Sequence, residues 1–221
     1  SAASDVYKRQ LKPVYVDRLP PCNAKCPAGE QCQAWLFHAQ SGNYENAWKQ
    51  IIEDNPFPAV MGRVCYHTCQ GACNRNGIDE PVGINAVERF LGDYALEKGW
   101  QLPVPAADTG KRILIVGAGP AGLAAAYQLR RLGHAVHVVE SAEAAGGMMR
   151  YGIPKYRLPR EVLDQEIARI TALGVEFEFG REVKDLNAEM KSAGYDAAFL
   201  GAGASLAHRA YTVSYTHLRA H

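Results

Sequence analysis

The sequence lacks an excess of charge of either sign, since 24 Lys and Arg stand against 23 Asp and Glu in 221 residues. It also lacks a hydrophobic run long enough to cross a bilayer: the longest weakly polar stretch, Ile113–Tyr127, is too short and contains three glycines and a proline. No stretch near the N-terminus combines a basic start, an apolar core and a small-residue cleavage site. These absences give no reason to expect binding to nucleic acid or to a membrane, and we expect a globular, cytoplasmic protein.

The six cysteines are unevenly distributed, because none occurs after Cys73. In a reducing cytosol such clustering favours metal or redox chemistry. Because the number of cysteines is even, disulfide bonds remain an alternative. The spacing is CxxxC followed by CxxxCxxxC, which differs from the matched pairs of structural zinc sites and favours an iron-sulfur cluster, with zinc as the first alternative. The cysteines are Cys22, Cys26, Cys32, Cys65, Cys69 and Cys73.

Residues 11–100 contain many prolines and glycines and favour short helices over strands. Apolar residues recur at helical spacing within Trp35–Ala39, Ala47–Ile52 and Ile84–Ala95, which predicts amphipathic helices. Residues 101–110 carry two prolines and no periodicity, so we place a linker there. We therefore expect residues 11–100 to form a small helical domain held by its cysteines.

The pattern changes after the linker. Apolar runs at Arg112–Val116 and Ala135–Glu140 flank a helical pattern at Pro120–Leu132, which predicts a right-handed β-α-β unit. Residues 111–211 are therefore interpreted as the N-terminal part of an α/β domain. Its other predicted elements are a helix at Arg160–Leu173 and strands at Val175–Phe179 and Ala197–Leu200.

Both ends of the chain differ from their surroundings. Residues 1–10, which end in SDVYKRQ, and residues 212–221, which contain VSYTHLRAH, resemble translated adapter sequence at the edges of gene predictions. We expect both ends to be non-native and the chain to be a fragment, with ordinary frayed termini as the alternative.

The segment between the first predicted strand and helix has the glycine pattern of a dinucleotide-binding loop. Gly117 would make the turn out of the strand, Gly119 would let a pyrophosphate approach the backbone, and Gly122 would let the helix pack closely on the strand. Glu140, 23 residues past Gly117, would bind ribose hydroxyls and disfavour a 2′-phosphate. The predicted cofactor-binding residues of the loop are Gly117, Ala118, Gly119, Pro120, Ala121 and Gly122.

A second pair of glycines, Gly146 and Gly147, follows Glu140. Such a pair would let the backbone approach a longer cofactor, which favours FAD over NAD at this site. Two alternatives remain: an NAD-dependent dehydrogenase with a zinc or disulfide N-terminal domain, and a non-catalytic docking subunit.

Five motifs in one order resemble the small, NAD(P)H-oxidising subunit of glutamate synthase and its relatives, and also the N-terminal region of dihydropyrimidine dehydrogenase. The resemblance covers about residues 11–210 and implies an α-helical iron-sulfur domain followed by a truncated Rossmann-like FAD-binding domain. The motifs are CNAKCPAGE at 22–30, NPFPAVMGRVC at 55–65, PVGINAVERF at 81–90, GAGPAG at 117–122 with Glu140, and GGMMRYGIPKYRLP at 146–159.

The resemblance also implies a ligand set for one 4Fe-4S cluster. Cys26, Cys65 and Cys69 would bind it, and the fourth ligand falls at Glu88, where relatives carry Gln or Glu. A carboxylate on an amphipathic helix is also compatible with simple solvent exposure, so this alternative stays open.

Cys22 and Cys73 would belong to a second cluster in relatives. Its other two ligands normally lie five and eight residues before Cys22, and these positions are Asp17 and Val14. Because valine cannot bind iron, we expect one cluster instead of two. We expect Cys32, at an apolar helical position, to be a buried free thiol.

In relatives, Tyr151–Pro159 would line the flavin cleft, the backbone near Val183 would approach the adenine, and Gly201 to Gly203 would close over the pyrophosphate. The resemblance implies that electrons pass from NAD(P)H through FAD and the cluster to a larger catalytic subunit or fused domain. The nicotinamide domain is expected beyond this chain, so we expect the fragment alone to be inactive.

Overall fold

The computed structural model describes residues 19–204, so the expectations for both chain ends, including Val14 and Asp17, lie outside the described residues. Residues 19–100 are helical, as predicted, and no strand occurs among them. No helix within residues 19–204 combines the length and hydrophobicity needed to cross a bilayer. The helices are α1 (Pro21–Lys25), α2 (Cys32–Gln40), α3 (Tyr44–Ile51), α4 (Pro58–Val64), α5 (Thr68–Gly71) and α6 (Ile84–Glu97), with a 3-10 turn at Asn74–Gly77.

Helices α4 and α6 cross at very short range because each carries a glycine at the contact. A Cβ atom at Gly92 would lie 2.3 Å from the nitrogen of Ala59, and one at Gly62 would lie 2.4 Å from the Cα of Arg89. Side chains at these two positions would force the helices apart. The crossing therefore fixes α6 against the end of α4, where Cys65 follows.

The α/β part contains the predicted strands and helices within one residue of their expected bounds. Two short helices, α8 and α10, were not predicted. The elements are β1 (Arg112–Val116), α7 (Pro120–Arg131), β2 (Ala135–Glu140), α8 (Met148–Tyr151), α9 (Arg160–Ala172), β3 (Glu176–Phe179), α10 (Leu186–Ala193) and β4 (Ala197–Leu200).

The four strands form one parallel sheet in the order β3-β2-β1-β4. Val116, the last residue of β1, pairs with Val139 of β2 and Leu200 of β4. Because parallel strands end at the same edge, the segments that follow β1, β2 and β4 emerge side by side.

One hydrophobic core joins the helical part to the α/β part. Trp48, Ile52 and Phe57 belong to the same buried cluster as Leu123 and Tyr127 of α7. The segment between the two parts is also attached along its length: Leu102 is buried, and backbone hydrogen bonds join residues 106 and 109 to residues 131 and 133. Helices α3 and α4 therefore pack against α7 and α9.

Candidate functional site

Three of the predicted glycine segments meet at the edge of the sheet. Gly117 has a φ of 101°, and a Cβ atom there would lie 2.3 Å from the carbonyl oxygen of Gly201. Gly147 has a φ of 48°, and its Cβ would lie 2.7 Å from the Cα of Gly119. Only glycine satisfies both the left-handed backbone and the close approach at these positions.

The start of α7 presents backbone donors to this edge. Pro120 is the first residue of the helix, and Gly146 donates its N–H to the carbonyl of Ala118 at 2.8 Å. Ala121 and Gly122 have backbone N–H groups without an acceptor among residues 19–204. Free amides at the positive end of a helix of this length are suited to bind a phosphate.

The carboxylate of Glu140 faces the same loop. Its Oε2 accepts a hydrogen bond from the N–H of Ala118 at 2.6 Å, and its Oε1 accepts from the N–H of Ala142 at 2.8 Å and from Ser141 Oγ at 3.2 Å. A carboxylate has about four acceptor positions and three are used here, so Oε2 keeps one for a ribose hydroxyl. The local glycine geometry, the free amides and Glu140 together fit a dinucleotide.

Val183 lies in a different environment from the glycine loop. Its side chain packs in the cluster formed by Val116, Val139 and Tyr195, at the sheet face opposite the main core. Its backbone N–H and C=O make no hydrogen bond among residues 19–204. An adenine-binding role for its backbone therefore stays a prediction.

The three cysteines assigned to the first cluster occur on three neighbouring segments. Cys26 follows α1, Cys65 follows α4 and Cys69 lies in α5. The hydroxyl of Thr68 donates to the carbonyl of Lys25 at 2.8 Å, which holds the start of α5 against the end of α1.

Burial raises the pKa of the Cys65 thiol and raises that of Cys69 to about 11, and negative charge on Cys26 adds to both effects. Cys26 and Cys69 also pack against the same buried cluster of the helical part. That the three thiols bind one cluster stays a prediction.

Glu88 is 6% exposed, which argues against the open alternative of a solvent-exposed carboxylate. Burial raises its pKa to about 9, and the charges of Glu30 and Cys26 add to this shift. The pKa of Cys65 is raised mainly by burial and is lowered by a backbone hydrogen bond from His67. The charge of Glu88 raises it further. A carboxylate buried this deeply stays ionised only with a positive partner, and a bound iron ion would be such a partner.

Two further residues of this site were not found from the sequence. Glu30 is 4% exposed, and burial followed by the charge of Cys26 raises its pKa to about 7. Asn55, also 4% exposed, donates hydrogen bonds to Glu30 and Glu88. Glu30 ends the CPAGE motif and Asn55 begins the NPFP motif, but neither motif indicates that the two residues meet.

Cys32 is 1% exposed, as predicted for a buried thiol. Cys26 packs against the buried cluster that contains Cys32. The Cys32 thiol is the largest cause that lowers the pKa of Cys26 to about 6, and Cys26 in turn raises the pKa of Cys32. This proximity was not predicted.

The two cysteines assigned to a second cluster are half-buried, as are Cys26, Cys65 and Cys69. The sulfur of Cys22 lies 3.5 Å from the Oδ1 of Asn23. The backbone N–H groups of Val82 and Arg75 lower the pKa of Cys73. Nothing in these surroundings tests the second cluster.

No group of three or more His, Cys, Asp or Glu side chains among residues 19–204 is close enough together to hold a single metal ion. A 4Fe-4S cluster binds each ligand through a different iron, so its ligands need not converge on one point. The donors of Cys26, Cys65, Cys69 and Glu88 fit such a cluster by their chemistry, as three half-buried thiols and one buried carboxylate.

Comparison with known proteins gives matches for both parts of the chain. Residues 17–100 match the family model of dihydropyrimidine dehydrogenase domain II, 4Fe-4S cluster, and residues 115–168 match the model of an NAD(P)-binding Rossmann-like domain. The β subunit of NADP(+)-dependent formate dehydrogenase from Moorella thermoacetica is 37% identical over 83% of this chain and 29% of its own length.

Two further relatives have the names expected from the motifs. Subunit PreT of NAD-dependent dihydropyrimidine dehydrogenase from Salmonella typhimurium is 38% identical over 84% of this chain and 46% of its own length. The small chain of glutamate synthase (NADPH) from Bacillus subtilis is 37% identical over 81% of this chain and 37% of its own length. This chain is a homologue of these oxidoreductase subunits. The resemblance inferred from the motifs is confirmed.

The homology covers an iron-sulfur domain followed by a Rossmann-like domain of the kind that binds nicotinamide or flavin nucleotides. The relatives are subunits or parts of larger enzymes, and the chain spans less than half the length of each relative named above.

Proposed function

We propose that this chain is the N-terminal part of an electron-transfer oxidoreductase that oxidises NAD(P)H and passes electrons to a larger catalytic subunit or fused domain. The observation that carries the proposal is that the helical part, whose cysteines pack against one buried cluster, shares a second buried cluster with the dinucleotide-binding part. A rigid connection keeps two redox sites at a fixed separation, which electron transfer requires.

FAD is the dinucleotide that we propose for the Rossmann-like part. The support is the contact between Gly147 and Gly119, which adds a second backbone segment to the usual loop. In this role Gly119, Ala121 and Gly122 bind the pyrophosphate through their N–H groups and Glu140 binds the ribose. When bound, a flavin supplies the conversion between hydride transfer and single-electron transfer, and an iron-sulfur cluster supplies single-electron transfer.

A cleft of about 480 Å³ lies between the two parts and is lined from both sides. Gly62 and His67 come from the helical part, whereas Tyr156, Arg157 and Pro159 come from the segment predicted to line the flavin cleft. The backbone N–H of His67 donates to Cys65 Sγ at 3.4 Å, so the cleft lies next to one of the thiols. This arrangement supports an approach of flavin and cluster from opposite sides.

The test is anaerobic reconstitution of the 221-residue chain with ferrous iron and sulfide, followed by iron and sulfide analysis. We expect about four iron and four sulfide per chain, and a large loss in a Cys65→Ser variant. About eight of each would contradict the single cluster. Zinc bound in place of iron would overturn the iron-sulfur assignment.

The nucleotide is tested separately by fluorescence titration with FAD and with NADH. We expect FAD to bind more tightly, and a Gly119→Val variant to lose this binding because the added side chain would occupy the pyrophosphate position. Binding of NADH without FAD would favour the simple dehydrogenase. Binding of neither nucleotide, in a folded chain, would favour the docking subunit.

A further inference from the structure

The side-chain amide of Asn55 lies between two buried carboxylates. Its Nδ2 donates to Oε1 of Glu30 and to Oε1 of Glu88, each at 2.9 Å, and its Oδ1 accepts from the N–H of Phe57 at 2.9 Å. Both N–H groups of the amide are therefore used, one for each carboxylate. All three polar side chains are at least nine-tenths buried.

The orientation of this amide is fixed by its surroundings. If the amide were rotated by half a turn, its oxygen would face two carboxylate oxygens and its NH₂ group would face the Phe57 N–H. The backbone is also held, because the N–H of Asn55 donates to the carbonyl of Ile51 at 2.9 Å at the end of α3. Pro56 restricts the same turn from the other side.

The two oxygens of the Glu88 carboxylate have different surroundings. Oε1 is bound by the amide, whereas no hydrogen bond to Oε2 is formed among residues 19–204. Gln70, next to Cys69, accepts a hydrogen bond from the backbone N–H of Asn85 at 2.9 Å, which holds the first turn of α6 against α5, and Glu88 lies one turn further along α6. Glu30 holds the second N–H, so the amide cannot rotate away from Glu88.

We propose that Asn55 is a positioning residue of the iron-sulfur site, which presents the free oxygen of Glu88 to the fourth iron of the cluster, with Glu30 as the support that fixes the amide. This inference rests on the proposed function, because it requires a cluster bound by Cys26, Cys65, Cys69 and Glu88. It adds two residues that do not themselves bind iron.

The test follows the fourth iron selectively. A 4Fe-4S cluster held by three thiolates and a misplaced carboxylate loses the iron that lacks a thiolate when it is oxidised. Brief treatment with ferricyanide takes one electron as one Fe²⁺ leaves, which converts a 4Fe-4S cluster of charge 2+ to a 3Fe-4S cluster of charge 1+. The readouts are the iron-to-sulfide ratio and the electron paramagnetic resonance signal of the 3Fe-4S form.

The variants are Asn55→Leu, which removes every side-chain hydrogen bond, and Asn55→Ser. The serine hydroxyl can still accept from the Phe57 N–H and keep the turn, but it is too short to reach both carboxylates. The ferricyanide treatment is kept short enough that the unsubstituted chain retains about four iron. Under the same treatment we expect about three iron and four sulfide per chain in both variants. Glu88→Ala should give the same result.

Tyr127→Phe is the control for destabilisation. It removes the buried hydrogen bond from Tyr127 to the carbonyl of Ile52 at 2.8 Å, which joins the helical part to α7 and involves no cysteine and neither carboxylate. We expect it to keep about four iron. Equal loss in Tyr127→Phe would mean that the domain is merely destabilised, and this would overturn the positioning role.

The outcomes separate this inference from the proposed function. No iron in the unsubstituted chain would reject the proposed function itself. A normal cluster that keeps its fourth iron in both Asn55 variants, but loses it in Glu88→Ala, would reject the role of Asn55 alone. Loss of the fourth iron in Asn55→Ser, with circular dichroism that shows an intact helical part, would support it.

Discussion

The hydroxyl of Tyr127 donates a hydrogen bond to the carbonyl of Ile52 at 2.8 Å, and Tyr127 is completely buried. The bond connects α7 of the Rossmann-like part with the end of α3 in the helical part. It occurs inside the core that the two parts share. The helical part is therefore held by polar as well as apolar contacts.

We expect Tyr127→Phe to lower the free energy of unfolding by about 1–3 kcal/mol, because the Ile52 carbonyl would stay buried without a donor. Chemical denaturation of the chain measures this. Tyr156→Phe, at a 90% exposed position, is the control and should change stability little. Equal effects of the two substitutions would contradict the role of the buried bond.

Glu166 should make the stability of the fold depend on pH. It is completely buried in α9, its Oε1 lies 3.6 Å from Nη1 of Arg169, and burial raises its pKa to about 8 despite the charge of Arg169. Between about pH 4.5 and 8 the folded state keeps a proton that the unfolded state has lost. Stability should therefore fall as pH rises through this range, by at most about 1.4 kcal/mol per pH unit from this group.

Glu166→Gln removes this contribution while keeping the shape of the side chain. The difference in unfolding free energy between the unsubstituted chain and Glu166→Gln should change steadily between pH 5 and 8, with the variant favoured at the higher pH. Glu161→Gln, at an exposed position in the same helix, is the control for the change of glutamate to glutamine. A flat difference for Glu166→Gln would contradict the raised pKa.

The carboxylate of Glu140 is expected to contribute both affinity and selectivity. Glu140→Gln should weaken FAD binding about tenfold or more, since hydrogen bonds to charged groups contribute about 1.5–3 kcal/mol. It should also reduce discrimination against nucleotides with a 2′-phosphate, because the repulsive charge is lost. Titration with FAD, NADH and NADPH measures both effects. Glu143→Gln, at an exposed nearby position, should leave affinity unchanged.

Cys32 is expected to be dispensable for iron. Cys32→Ala should keep about four iron per chain and lower the free energy of unfolding by about 1 kcal/mol, as expected for a small buried cavity. Cys69→Ala is the comparison and should lose most of the iron. Loss of iron in Cys32→Ala as well would identify Cys32 as a ligand and contradict the free-thiol interpretation.

The parts of the molecule that could be predicted are those fixed by local sequence. Strand β1, the glycine loop and α7 follow one another without interruption, so the pattern and its spacing determine where Gly117 and Gly119 lie. The glycine at position 147 was predicted to approach the cofactor for the same reason, and it contacts the loop. Helix α8 was missed because its four residues are too few to show a period.

The contacts around the thiols could not be predicted because they join distant parts of the chain. Asn55 is 25 residues from Glu30 and 33 residues from Glu88. In sequence, an asparagine before a proline indicates only a turn. The hydrogen bonds of Asn55 to the two carboxylates depend on the close crossing of α4 and α6. The periodicity of the sequence does not indicate this crossing.

Gly147 and Gly180 offer a matched pair for the dinucleotide site. Both have positive φ, 48° and 71°, so a side chain strains the backbone at either position. A methyl group at Gly147 would meet the Cα of Gly119 at 2.7 Å, whereas nothing lies within 4 Å of one at Gly180. Gly147→Ala should therefore lose more stability than Gly180→Ala, and only Gly147→Ala should displace the phosphate-binding loop and weaken FAD binding. Thermal unfolding and fluorescence titration separate the two effects. Unchanged FAD affinity in Gly147→Ala would show that the second glycine segment does not shape the site, and would remove the main support for FAD over NAD.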